Sequence, residues 1–339
     1  MRTTFWLKIG ATSVVSLVLL GLALRHVDVH LLGRFLVRAN YGYVGAAVVM
    51  YFVDLGFRCM RWRVLLSVAR DISVRRLYPV LAIGYMGNNL LPARIGELSR
   101  AYLVGQRENV SPSTVLASVA LERVIDGLTV LLLLLATLPA LPGAAWLGSL
   151  TTVAAGFIGA AIVACFVLAV AQPSWVEVAA RLLGVLPESL RRRAVDALDR
   201  FVLGFSVLRD VRQLGQTLVI SVIIWVVGAT TYVLVAHAFG VRLSIVDALA
   251  AICVVNLATA VPLAPAGLGA FEVAALAIFS LVGIDGTTAA GITIVLHAVL
   301  FVPIVVVGLL FLWRLNLSVE TLWDDSRRTT VSAALEQAG

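Results

Sequence analysis

The stretch NNLLPARIGELSR, residues 88–100, packs two adjacent Asn, a Pro, two Arg and a Glu into thirteen residues. Apolar runs flank it on both sides. A Pro and a Gly this close together interrupt any helix. The placement of this polar break relative to a bilayer decides how the chain is organised.

The surrounding composition makes the bilayer unavoidable. The chain has 339 residues, 61% of them apolar and only 13% charged, with a mean hydropathy of +1.01. Soluble domains carry roughly 25% charged residues. Long apolar runs recur along the chain, and the period-two alternation of a membrane barrel is missing, so the sequence predicts an all-α polytopic membrane protein. The net charge is +7. Arginine gathered in cytoplasmic loops accounts for it, so nucleic acid is not an expected partner. Lys8 is the only lysine among 26 basic residues, a trait of base composition. Cys59, Cys165 and Cys253 are far apart, with neither a CxxC pair nor a metal spacing, and read as small buried apolar residues. Arg2 and Lys8 precede an apolar run without a small-x-small cleavage site, which predicts a retained first span.

Full spans are expected at 5–24, 41–58, 113–138, 147–171, 213–239 and 286–313, about six in all. Two further apolar regions, 77–105 and 246–283, are broken by Pro and Gly. Segments 58–76 and 174–212 hold six and seven arginines and are expected on the cytoplasmic side, as is the C-terminus after Arg314, Arg327 and Arg328. The uncharged segment 139–146 is expected outside. The chain is then cytoplasmic both before and after 77–105, and twenty-nine residues cannot make two full spans. Region 77–105 is therefore predicted to be a re-entrant hairpin dipping from the cytoplasm. Region 246–283 is its outer-side counterpart, though its length leaves two short tilted spans open. The loop 25–40, with Arg25, Arg34 and Arg38, falls outside against its charge. This divides the chain into an N-terminal membrane half (1–173), an amphipathic Arg-rich linker helix on the cytoplasmic leaflet (174–212), a C-terminal membrane half (213–315) and a cytoplasmic tail (316–339). The localisation implied is the inner membrane of a bacterium or archaeon.

The two broken regions share a pattern. Both contain Pro-Ala-x-(apolar)-Gly followed by Glu: Pro92 to Glu97, and Pro265 to Glu272. Asn88 and Asn89 precede the first, Asn256 the second. Pro/Gly-broken segments in corresponding positions of two oppositely oriented halves predict an inverted repeat with a binding site between the tips. The tips are Pro92 and Gly96, and Pro265, Gly267 and Gly269. A helix restarting at each tip presents free N–H groups and a positive dipole end, which suits an anion. Arg94 and Arg100 add charge that can grip a phosphate in two places. Glu97 and Glu272 either cap their helices or pair with the arginines.

Ionisable groups in the spans sharpen this. Glu122 and Asp126 share one helix face, with Arg123 beside them. Two readings stand: an ion pair with Arg94 or Arg100 that locks the hairpin, or direct participation in the site. Asp54 and Arg58, four apart, predict an interfacial pair. His297 and His237 are expected as hydrogen-bonded packing residues, with proton handling the alternative for His297. Asp247 and Asp285 are expected to start helices. Neither an ATP-binding loop nor a nucleophile constellation is present, so no enzyme activity, metal or cofactor is predicted.

Three motifs in order, Gly84-x-x-x-Asn88-Asn89-Leu-Leu-Pro92-Ala-Arg94-x-Gly96-Glu97-Leu-x-Arg100, Leu121-Glu122-Arg123-x-x-Asp126 and Pro265-Ala-Gly267-Leu-Gly269-Ala-Phe-Glu272, resemble the lysylphosphatidylglycerol synthase transmembrane region, a flippase-like family, over roughly residues 5–315. The second tip departs mildly from the family's Pro-Gly-Gly-x-Gly-x-x-Glu. The synthases also carry an aminoacyl-transfer domain, and these residues hold none, so the resemblance implies lipid handling and not lipid aminoacylation. The expectation is a transporter of phosphate-bearing or polyprenyl-linked lipid. Arg94, Arg100, Arg123, Asn88, Asn89 and Asn256 would contact the headgroup. Glu97, Glu122, Asp126 and Glu272 would act as charge partners or proton carriers. Membrane lipids are the expected partners; a homo-oligomer and a separate synthase stay open. The rival readings are a membrane-embedded transferase on a lipid-linked substrate and a scaffold for a lipid synthase.

Overall fold

A computed structural model describes residues 36–91, 94–141, 145–170, 204–260 and 265–317, with isolated positions at 33, 188, 191, 195, 196, 199 and 202. The expected first span and the tail fall outside the described residues, as does most of the linker. Among the described residues the chain is all helical: α1 (Tyr41–Leu66), α2 (Val74–Leu90), α3 (Ile95–Glu108), α4 (Pro112–Thr137), α5 (Ala145–Val170), α6 (Val211–Ala238), α7 (Ile245–Thr259), α8 (Ala270–Leu281) and α9 (Gly286–Arg314).

Short polar side chains start these helices by accepting bonds from otherwise unpaired N–H groups. Asn40 accepts from Gly42, Asp210 from Arg212 and Gln213, Ser244 from Asp247, and Asp285 from Thr288. Helices α1, α6 and α9 are long and apolar enough to cross a membrane; α7, α8 and the stretch Thr151–Ala164 are apolar but shorter. The exposed faces are apolar stripes at helical spacing: Val219, Val222 and Val226 on α6, and Val302, Val306, Leu309 and Trp313 on α9. The charged side chains Arg61, Arg100, Glu122 and Asp126 are instead buried. Apolar outside and charged inside is the arrangement a hydrocarbon solvent demands.

One expectation needs correction here. The span expected at 41–58 continues as helix to Leu66. Arg58 and Arg61 therefore lie within the helix bundle and not in a loop, because buried carboxylates pair with them. At the far end of the linker, Gly204–Arg209 forms a 3-10 turn whose Phe205 and Val207 pack with Ala117, Leu121 and Ile125 of α4.

The order long, short, short, long occurs twice, in α1–α4 and in α6–α9. Helix α2 spans about 25 Å and α8 about 18 Å at 1.5 Å per residue, short of the roughly 30 Å hydrocarbon core. In the first pair both ends meet: Arg76 at the start of α2 bonds Glu108 at the end of α3 at 3.1 Å, and Arg70 donates to the Glu108 carbonyl. Glycines permit their close crossing. A Cβ on Gly87 would stand 3.0 Å from Gly96 Cα, and one on Gly96 would run into the Gly84 carbonyl.

The long helices α1 and α6 make the most extensive pairing, and they run antiparallel. Asn40 donates to the Ala238 carbonyl at one end, and Arg61 reaches Ser221 at the other. Around them the halves exchange partners. Helix α2 packs on α9, and its counterpart α7 packs on α4.

Candidate functional site

Each break is built by local conformation. Leu91, before Pro92, is extended (φ −109°, ψ 143°), as a residue preceding proline must be. Arg94 then takes a left-handed conformation (φ 52°, ψ 39°) where α3 begins. In the second break Ala266 and Gly267 are left-handed (φ 55° and 70°), and Gly269 (φ 86°) starts α8. The Glu272 carboxylate accepts from the Gly269 N–H at 2.6 Å and caps that helix.

The two breaks meet. The Arg94 guanidinium donates to the Thr259 and Ala260 carbonyls, at 3.2 and 3.1 Å. These are carbonyls at the end of α7, where the helix leaves acceptors unpaired and the dipole favours a cation. Beside this contact lies a cavity of about 280 Å³. The first half contributes Asp54, Arg58, Tyr85, Asn88, Asn89, Arg94, Glu97 and Arg123 to its wall. The second contributes Thr231, Tyr232, Asn256, Thr259, Gly267, Phe271 and His297.

Charge in the wall is paired but not saturated. Arg58 bonds Asp54 at 2.6 Å and the Tyr85 hydroxyl at 3.4 Å. Arg123 bonds Glu122 at 2.6 Å and stands 3.4 Å from Asp126 and 3.8 Å from Glu97. Behind the wall, Arg61 binds Asp126 at 2.5 Å and Ser221 at 3.0 Å. Arg100 binds Glu122 at 2.8 Å and stacks 4.0 Å from the centre of the Trp62 ring. Five guanidinium groups (58, 61, 94, 100, 123) face four carboxylates (54, 97, 122, 126), and Glu272, held behind His297, adds a fifth, so the charges around the site balance while His297 is neutral. Four buried polar atoms of wall residues, Asn88 Oδ1, Asp54 Oδ1, Glu97 Oε1 and Arg123 Nε, have no hydrogen-bond partner among the described residues. Buried polar atoms are nearly always bonded, so these four are unmet bonding capacity within the wall, three acceptors and one donor.

The residues expected at the site are thus divided. Asn88, Asn89, Arg94, Glu97, Arg123, Asn256 and Gly267 line the cavity. Arg100, Glu122 and Asp126 do not; they form the buried charge lock behind it. Gly96 and Gly269 sit at helix starts, Pro265 opens the 3-10 turn, and Pro92 falls outside the described residues. Glu272 touches the wall through His297, at 2.5 Å from its Nδ1. His237 bonds the Val233 carbonyl. Cys59 and Cys253 are buried and free, and among the described residues no cluster is placed to hold a metal. Sequence reading missed Arg61, Tyr85 and Tyr232. Positions 54, 58 and 61 fall on one helical face, the signal by which Arg61 could have been found.

The family model of the lysylphosphatidylglycerol synthase TM region matches residues 9–308. The chain belongs to this family. It is an integral membrane protein whose family match spans both helix breaks and the charge lock between them. A UPF0104 membrane protein of Methanothermobacter thermautotrophicus is 26% identical over 80% of this chain and 85% of its own length. The glycosyltransferase AglD of Haloferax volcanii is 28% identical over 96% of this chain, which spans only 57% of that relative's length. No solved structure gives a significant match.

Proposed function

We propose that this family member moves phosphate-bearing lipids or polyprenyl-linked lipids across the membrane, with the headgroup in the cavity between the two breaks. The observation that carries the proposal is that one cavity joins both breaks and is lined by three guanidinium groups, Arg58, Arg94 and Arg123. At about 280 Å³ it suits a headgroup and not acyl chains, which would stay in hydrocarbon. Arg94 and Arg123, with Arg58, would hold the phosphate; Asn88, Asn89 and Asn256 would contact polar headgroup atoms. Arg100 would act from behind by fixing Glu122.

In this reading the two short-helix pairs are re-entrant hairpins entering from opposite faces, within about six full spans. Antiparallel α1 and α6 and the exchanged packing of α2 and α7 support a two-fold axis in the membrane plane. The Arg-rich segments would face the cytoplasm.

The test is reconstitution into liposomes with a fluorescent phospholipid, comparing transbilayer movement for the wild type, Arg94→Ala and Arg123→Ala. Both variants should slow movement at least tenfold, the loss of one charged contact. Unchanged movement in both overturns the site. The similarity to AglD favours a second reading, in which the chain serves sugar transfer to a lipid carrier. Product formed from a polyprenyl-phosphate sugar donor by the purified chain alone would select that reading.

A further inference from the structure

We infer that Glu272 and His297 form a proton-binding pair that couples movement of an anionic headgroup through the cavity to proton uptake. The inference rests on the lipid reading above. Both residues are buried, on consecutive helices, and joined at 2.5 Å through Nδ1. The imidazole packs against Phe271, with ring centres 4.4 Å apart, and meets Phe301 edge-on. It is therefore held in one orientation, and it lines the cavity. Nδ1 is committed to Glu272, which leaves Nε2 as the nitrogen that exchanges protons with the cavity.

The step is simple. With neutral His297 the pair carries the single negative charge of the carboxylate. A proton from cavity water adds to Nε2, an N–H bond forms, and the pair becomes neutral overall. The other groups of this wall are Asp54, Arg58 and Tyr51 on α1, Tyr85 on α2, Arg94 and Glu97 at the head of α3, Arg123 on α4 and Tyr232 on α6. The arginines and carboxylates among them are paired as described. Among these groups the imidazole is the one whose ordinary chemistry is to take up and release a proton, and its free nitrogen faces the cavity. Protonation removes one negative charge beside the anion site, so proton and anionic headgroup favour each other's binding. The sign is symport. Glu272 also caps α8 through Gly269, so the same carboxylate ties the proton to the second break.

The experiment uses proteoliposomes of phosphatidylethanolamine and phosphatidylglycerol carrying acyl-labelled fluorescent phosphatidylglycerol and a trapped pH dye. Lowering the outside pH from about 8 to about 6 should speed inward lipid movement about fivefold or more, with acidification of the lumen. His297→Gln, whose amide can still bond Glu272, should abolish both responses while keeping the wild-type melting temperature. Glu272→Gln, which keeps the bond from Gly269, should do the same. A pH profile shared by wild type and His297→Gln overturns the coupling and leaves the lipid reading intact. Absence of any lipid movement by the wild type overturns both.

Discussion

Arg61 is fully buried, and its removal tests whether the charge lock is a dry structural element. Replacement by Met removes the cation and keeps most of the bulk. Glu122 retains Arg100 at 2.8 Å and Arg123 at 2.6 Å, so it is not left alone. Asp126 loses its partner at 2.5 Å and keeps only Arg123, at 3.4 Å. Ser221 loses its donor. Removing one member of a buried pair destabilises by about 3–5 kcal/mol, because the other charge stays buried. A solvated surface pair is worth only about 0–1 kcal/mol. We therefore expect Arg61→Met to lose about 3–5 kcal/mol. Adding Asp126→Asn should recover most of that loss, since the stranded charge is then gone. The assay is reversible unfolding in mixed detergent micelles, followed by tryptophan fluorescence; Trp62 and Trp225 are buried and report core opening. A single-variant loss under about 1 kcal/mol would show the pair to be solvated and refute the reasoning. So would a double variant no more stable than the single.

Gly96→Ala should lose about 1–3 kcal/mol or more, because its Cβ would stand 2.7 Å from Asn88 N as well as against the Gly84 carbonyl, neither of which can yield cheaply. Gly56→Ala, mid-helix with open space around it, should lose nothing in the same melting experiment and gain about 0.5–1 kcal/mol. Arg94→Gly should be more stable than Arg94→Ala by roughly 1 kcal/mol in thermal melts, since only glycine takes the left-handed conformation freely, and both should loosen the contact between the breaks. Asp285→Ala should remove the α9 cap and lower stability by about 0.5–2 kcal/mol. The Thr288 N–H holds the Asp285 carboxyl below its ordinary value, so this contribution is present at neutral pH and fades as pH falls through the lowered value. The difference between wild type and Asp285→Ala should therefore shrink in acid.

The helices were legible because apolar runs and caps coincide. Asn40, Asp210, Ser244 and Asp285 start the helices within a residue or two of the expected positions. The shared Pro-Ala-x-(apolar)-Gly pattern pointed to the two regions that meet at one cavity. The end of α1 was not legible. A rule that assigns arginine to loops treats charge as something water must solvate, whereas Arg61 is solvated by Asp126 and Ser221. Pairing across helices depends on tertiary placement, which no local window contains. For Arg100 the sequence offered both a phosphate contact and an ion pair with the Glu122 helix, and the structure shows the pair, enclosed by Glu122 and the Trp62 ring. The Glu272–His297 contact joins residues 25 apart on different helices, and neither neighbourhood hints at the other.

The two breaks carry one backbone device with different side chains, and the difference separates their roles. The third residue of each Pro-Ala-x pattern is left-handed: Arg94 in the first, Gly267 in the second. Glycine is the low-strain choice there, and a Cβ at Gly267 would press on Thr259, 2.8 Å away. Arginine at the equivalent position costs roughly 1–2 kcal/mol of backbone strain. That strain is offset by bonds glycine could not make, to the carbonyls of Thr259 and Ala260 in the opposite break. The acidic residues diverge likewise. Glu97 stands 3.8 Å from both Arg94 and Arg123, with Oε1 unbonded at the cavity wall. Glu272 is fully engaged, by Gly269 on one oxygen and His297 on the other. The first break thus supplies fixed positive charge and polar atoms with spare bonding capacity. The second supplies the titratable pair and the carbonyls on which the first rests. In the proposed reading the phosphate is gripped by arginines of the first half and the proton by the pair of the second, joined where Arg94 crosses to α7, so loosening that contact should weaken the dependence of one on the other before it abolishes either.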